Sequence, residues 1–142
     1  MDLKKIFAVS GKPGIFELKV QTRTGILAEN LLDGKSSTIG IRDNVSMLAE
    51  IAIYTDSEEI KLYEVFKKIA EKESNGPAIS HQANQNDLLS YFEAVLPNYD
   101  KERVYASNIK KVLQWYNLLQ SKGNRFFDAL ATFTEEEATE KA

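Results

Sequence analysis

Lys4-Lys5-Ile6-Phe7-Ala8-Val9-Ser10, Gly14-Ile15-Phe16-Glu17-Leu18-Lys19-Val20, Gly25-Ile26-Leu27-Ala28-Glu29-Asn30-Leu31, Ser37-Thr38-Ile39-Gly40-Ile41 and Ile51-Ala52-Ile53-Tyr54-Thr55 read as five short strands separated by turn residues. The second is the clearest. Phe16, Leu18 and Val20 alternate with Glu17, Lys19 and Gln21, so one side packs and the other meets water. Gly11-Lys12-Pro13-Gly14, Thr22-Arg23-Thr24-Gly25 and Asp33-Gly34 supply the turn chemistry between antiparallel partners. Asp43-Asn44-Val45-Ser46-Met47-Leu48 reads as a single 3₁₀ or α turn capped by Asp43 or Asn44. Five short strands with a helical turn before the last predict an SH3-like small β-barrel, an analogy of topology that carries no function. Barrel closure would remove exposed edges. About 50 residues alone are marginally stable, so the rest of the chain is expected to dock on them.

The rest reads as helix. Thr55, Asp56 or Ser57 can cap a first helix, with Glu58 and Glu59 at the positive end of its dipole. Leu62, Val65, Phe66 and Ile69 then make one apolar stripe, and Ser74-Asn75-Gly76-Pro77 ends it. A polar linker over residues 74–86 precedes a second helix that buries Leu88, Leu89, Phe92 and Val95 and stops before Pro97. Asp100 is read as the cap of the longest helix, which runs to Gly123 with Tyr105, Ile109, Val112, Leu113, Tyr116 and Leu119 inward. Phe126, Phe127, Leu130 and Phe133 suggest a short docking helix. The expected fold is therefore α+β: the small barrel over residues 1–56, three to four helices over 57–134 packed on or linked to it, and a disordered acidic tail over 135–142.

Composition narrows the function classes. The chain has 142 residues, 43% hydrophobic and 27% charged, as a packed globular protein requires. A net charge of −3 argues against coating nucleic acid or an anionic membrane through bulk charge. Without cysteine there is no disulfide, thiolate nucleophile or thiolate metal site. No segment approaches the ~18 continuous apolar residues of a membrane span, and the opening Met1-Asp2-Leu3-Lys4-Lys5-Ile6 lacks a signal peptide's apolar core, so cytoplasm is the expected location.

Leu96-Pro97-Asn98-Tyr99-Asp100-Lys101-Glu102-Arg103-Val104-Tyr105, with Asn108-Ile109-Lys110-Lys111 and Trp115-Tyr116-Asn117-Leu118-Leu119, carries a resemblance, as do Met1-Asp2-Leu3-Lys4-Lys5-Ile6, Ser10-Gly11-Lys12-Pro13-Gly14 and Ile51-Ala52-Ile53-Tyr54-Thr55. Over residues 1–123 the chain resembles a family of uncharacterised Bacteroidetes proteins catalogued as domains of unknown function. The resemblance implies an intracellular bacterial protein with a strand-rich front and a helical back. It transfers no catalytic residue.

No motif outweighs its plain structural reading. Gly34-Lys35-Ser36 lacks the earlier glycine of a phosphate loop, because Glu29 stands there, and a strand rather than a helix follows. His81 is the sole histidine, too little for a zinc site or a triad. Glu58-Glu59 and Glu135-Glu136-Glu137 are helix-end and tail charges, since adjacent glutamates on a helix do not converge on one substrate. No cofactor, metal or enzymatic activity is expected.

The long helix is the exception. Residues 101–125 hold six Lys/Arg and one acid, Glu102. Arg103 and Lys110 are placed on one outward side with Lys111 flanking, and Trp115 at the edge of the apolar stripe, so Arg103, Lys110, Lys111 and Trp115 are the candidate partner-binding residues. Cations beside an edge aromatic can follow phosphates and stack a base. A solvated basic face with Trp115 packed is the alternative reading, favoured by the negative overall charge. The leading functional expectation is a non-enzymatic interaction or structural module with a protein partner, and the alternative is a nucleic-acid-binding protein. Oligomeric state has no sequence signature here.

Overall fold

The computed structural model describes residues 1–12, 14–40 and 43–133. A 3₁₀ turn at Leu3–Lys5, in which the Lys4 amide donates to the Asp2 carboxylate, leads into β1 (Ile6–Val9). β2 (Phe16–Gln21), β3 (Gly25–Asn30), β4 (Ser36–Gly40) and β5 (Val45–Met47) complete an antiparallel sheet in the order β4-β3-β2-β1-β5. A 3₁₀ turn at Leu48–Glu50 precedes β6 (Ala52–Tyr54), which pairs with β7 (Glu59–Lys61) as a separate hairpin. Among the described residues four helices follow: α1 (Leu62–Lys72), α2 (Gln85–Val95), α3 (Ala106–Gln120) and α4 (Asn124–Thr132). The fold is α+β.

The sheet must be curled. Only four residues separate Gly40 at the end of one edge strand from Val45 at the start of the other. A flat five-stranded sheet would put those edges about 19 Å apart, at ~4.8 Å per spacing. Five extended Cα steps reach at most about 18 Å, and the Asp43 amide bonds back to the Gly40 carbonyl at 3.1 Å, which shortens the span further. Curling lets all five strands fill one small core: Phe7 and Val9, Phe16 and Leu18, Ile26 and Ala28, Ile39, and Val45 and Met47. Phe7 and Phe16 stack there with ring centroids 5.6 Å apart. Among the described residues no ladder joins β4 to β5, so closure of the sheet is not seen there.

A larger second core lies between the sheet and the helices. It takes Leu3, Ile6, Ile15, Leu31 and Leu48 from the first half and the apolar stripes of α1 to α4 from the second. Strand β1 serves both cores: Ile6 and Ala8 face the helices, while Phe7 and Val9 face the curled sheet. Its near-continuous burial follows from that position.

Several sequence expectations need correction. The stretch from Asp43 to Leu48 is not a helical turn, because Val45–Met47 pairs with β1 and the 3₁₀ turn comes after it. Ile51-Ala52-Ile53-Tyr54-Thr55 is not the fifth strand of the sheet, since Ala52–Tyr54 pairs with Glu59–Lys61. The first helix does not begin at Thr55, Asp56 or Ser57. The Thr55 hydroxyl oxygen instead accepts the Glu58 amide at 2.9 Å and closes the hairpin turn, and the helix starts at Leu62. Glu58 and Glu59 are therefore turn and strand residues. Asp100 does not cap the long helix: it accepts the Glu102 and Arg103 amides in a separate turn, and α3 starts at Ala106 with the Tyr105 amide bonded to Asn108 Oδ1 at 2.9 Å. Tyr105, expected inward, is 63% exposed.

Other expectations hold. Leu62, Val65, Phe66 and Ile69 are buried on α1, Leu88, Phe92 and Val95 on α2, where Leu89 is only half-buried, and Ile109, Val112, Leu113, Tyr116 and Leu119 on α3. Helix α1 ends where Ser74 and Asn75 take positive φ. The turn from β3 to β4 is closed by Gly34 donating to the Asn30 carbonyl, so Gly34-Lys35-Ser36 belongs to a hairpin. Pro13, Ile41 and the acidic tail lie outside the described residues.

Candidate functional site

A cleft opens where the curled sheet meets α3. Two adjoining cavities, of about 410 and 250 Å³, share the wall formed by Ile51, Lys111 and Trp115. The larger lies over β1 and β5, where Ala8 and Ser46 are cross-strand partners and their small side chains leave space opposite Trp115. The smaller lies between β6 and α3, lined by Ile53, Tyr54, Val104 and Val112 with Arg103.

Local chemistry explains each wall. Lys111 and Trp115 are one helical turn apart on α3, so both side chains project from the same side, and Val112 beside them anchors the helix in the core. Trp115 is half-buried, packed on the large core along one edge and facing the cleft along the other. Lys12 reaches the cleft from the loop after β1, in which Gly11 takes φ +84°, a left-handed conformation that a side chain resists. The Lys12 amide bonds to the Val9 carbonyl at 3.0 Å and fixes that loop to the strand end.

The lining is charged with one sign. Lys12, Lys111 and Arg103 contribute cations, and no Asp or Glu lines either cavity among the described residues. The three cations differ. Arg103 Nε donates to Asp100 Oδ2 at 2.8 Å, which lowers the Asp100 carboxyl pKa and raises that of the guanidinium. The guanidinium also lies over the Tyr54 ring at 4.4 Å. Lys12 and Lys111 form no ion pair among the described residues. The available positive charge therefore sits at the larger cavity.

Three of the four candidate residues meet here. Arg103, Lys111 and Trp115 line the cleft, and Lys110 does not. Arg103 precedes α3, so the shared outward side expected for Arg103 and Lys110 does not exist. Lys12, Tyr54, Ser46 and Gln114 also line it and escaped the sequence reading. Lys12 between turn glycines was the one available signal, and it reads equally well as turn chemistry. His81 sits in the linker between α1 and α2, away from both cavities. An acidic hollow of about 440 Å³ beside Glu58, Glu59 and Glu64 holds no metal-ligating group of three among the described residues. Among the described residues no helix is long and apolar enough to cross a membrane.

Two family models match the chain. One, described as a domain of unknown function (DUF5606), covers residues 3–48, and the other, a domain of unknown function (DUF6852), covers residues 51–119. Lys12 comes from the first segment and Tyr54, Arg103, Lys111 and Trp115 from the second, so the cleft is built by both. A solution NMR structure of a Bacteroides vulgatus protein, a structural-genomics target, is 39% identical, with a TM-score of 0.72 over 85% of this chain and 87% of that one. No protein of curated function matches.

Proposed function

We propose, from the premise that this chain belongs to an uncharacterised Bacteroidetes-type family joining these two domains of unknown function, that it is a non-enzymatic interaction module whose partner binds in the cleft between the sheet and α3. The observation that carries the reading is the lining itself: a half-buried indole and apolar wall, two lysines that form no ion pair among the described residues, and neutral amides and hydroxyls. Such a set supplies contact area, charge and hydrogen bonds for recognition. A bond-breaking role would call for a convergent acid and base, which this lining does not offer. The proposal includes a cytoplasmic location and a protein partner. It also takes the curled sheet as an SH3-like barrel left open between β4 and β5, a view supported by the shared core of all five strands.

Nucleic acid is the second reading, favoured by Lys12 and Lys111 flanking Trp115. Affinity capture from a lysate of the native cell, with and without nuclease, separates the two. Under the leading reading wild type retains a protein after nuclease treatment, Lys111→Glu loses it, and Lys110→Glu, equal in charge change but outside the cleft, keeps it. Retention of nucleic acid that depends on Lys111 supports the second reading. Captured species indifferent to Lys111 would place the binding surface elsewhere.

A further inference from the structure

The larger cavity narrows the kind of partner. We infer, resting on the module reading above, that its occupant is an extended acidic peptide segment inserting one bulky apolar side chain between Trp115 and the sheet face of Ala8 and Ser46.

Three features carry this. The first is shape: the sheet wall is formed by the small side chains of Ala8 and Ser46, with Val9 beside them, opposite a large aromatic, so the space fits one side chain of Leu or Phe size and its neighbours. The second is charge complementarity. Two lysines without ion pairs among the described residues flank that space, with no carboxylate in the lining, on a protein whose net charge is −3. The two cations favour an acidic segment over a neutral or basic one in this cleft. The third is hydrogen bonding. Asn44, Ser46 and Gln114 line the same cavity and can serve the amides and carbonyls of an extended chain.

The same numbers disfavour nucleic acid. Two phosphate contacts give a salt slope of only about −1.4 on a logarithmic plot, at ~0.7 per single-strand contact, so charge neutralisation contributes little affinity at physiological salt. An acidic peptide faces the same screening but adds apolar burial against Trp115, which salt does not weaken.

The chain has one tryptophan, so its intrinsic fluorescence reports on the cleft without a label. A random twelve-residue phage-displayed peptide library is selected on the full chain, with Lys12→Glu/Lys111→Glu and Lys110→Glu chains as counter-targets whose folding is checked by circular dichroism. The enriched peptides are then synthesised without tryptophan and titrated against Trp115 fluorescence, alongside a single-stranded oligonucleotide. The expected result is enrichment of Asp/Glu around one Leu, Ile or Phe, a fluorescence change on binding, loss of affinity of about tenfold or more in the double variant and less than about twofold in Lys110→Glu. Enriched peptides that change Trp115 fluorescence but carry no acidic excess would overturn the acidic segment and leave the module reading standing. No enrichment together with oligonucleotide binding would overturn it in favour of nucleic acid. No binding of either probe would defeat both the segment and the cleft as a site.

Discussion

The Tyr63 hydroxyl donates a 2.7 Å hydrogen bond to the Leu3 carbonyl oxygen, joining helix α1 to the turn that starts the first strand. Both residues are buried, so the bond is made away from water. Tyr63→Phe keeps the ring and its edge contact with Phe133, 4.8 Å between centroids, but strands the carbonyl. The expected cost is about 1–3 kcal/mol, read as a lower urea midpoint with an unchanged slope. An unchanged midpoint would mean that the carbonyl finds another donor.

Three tyrosines predict an alkaline limit. Burial raises the Tyr63 and Tyr91 phenols well above their ordinary value of 10.0, with the Glu73 carboxylate adding to the effect at Tyr91, and pushes Tyr116 up to about 12. Above pH 10 the unfolded chain releases these protons while the folded chain holds them, so the unfolded state gains and stability falls as pH rises. The stabilisation is complete below pH 10, and the Tyr116 share is lost as pH passes through about 12. Thermal melts should be flat from pH 7 to 9 in respect of these groups and fall above 10. The phenolate absorbance contributed by these three tyrosines should rise with the unfolding transition rather than before it.

Aromatic truncations should rank by burial. Phe66 is fully buried against Tyr63, Tyr116 and Phe126, and Phe66→Ala should cost about 3–5 kcal/mol. Trp115 is only half-buried, so Trp115→Ala should cost roughly half as much, about 2 kcal/mol, and leave the chain folded. Lys12→Glu/Lys111→Glu should stay within about 0.5 kcal/mol of wild type. If Trp115→Ala unfolds the protein outright, the indole is a core residue and the cleft loses its floor.

Gly25 is the sharpest backbone test. It pairs with Gly40 across β3 and β4, and a Cβ there would lie 1.9 Å from the Ile39 carbonyl oxygen. Gly25→Ala must push the strands apart and should destabilise by more than about 2 kcal/mol in chemical denaturation. A near-neutral result would show that β4 can slide away at little cost.

Local pattern made most of the elements legible, and pairing did not. The strand alternation of Phe16, Leu18 and Val20 and the α1 stripe of Leu62, Val65, Phe66 and Ile69 are periodicities, which sequence displays directly. The three-residue strand Val45–Met47 is too short to show a period and exists because β1 offers its edge. The swap of Ala52–Tyr54 into a hairpin depends on Thr55 and Glu58 closing a turn, where the same residues read equally well as a helix cap. At the cleft, Arg103, Lys111 and Trp115 were visible as a basic stretch with an edge aromatic. Lys12 was not, because its place beside them is set by the curl of the sheet and 98 residues of intervening chain separate it from Lys111. Likewise, Asn117 holding the backbone of Ala78 and Ile79 against α3 has no local signature.

Strand β1, clamped by a different core on each face, has a consequence for how the molecule comes apart. Neither core can open alone without stripping one side of this strand, so local opening is closed off at its amides. Their hydrogen exchange should therefore proceed only through global unfolding, at the slow limit for the whole chain, while the amides of edge strand β4 exchange sooner. The seam between the two family matches, at residues 48–51, is for the same reason a poor place to cut. A fragment ending there would carry Ile6, Ile15 and Leu31 with nothing to cover them, and should aggregate rather than fold.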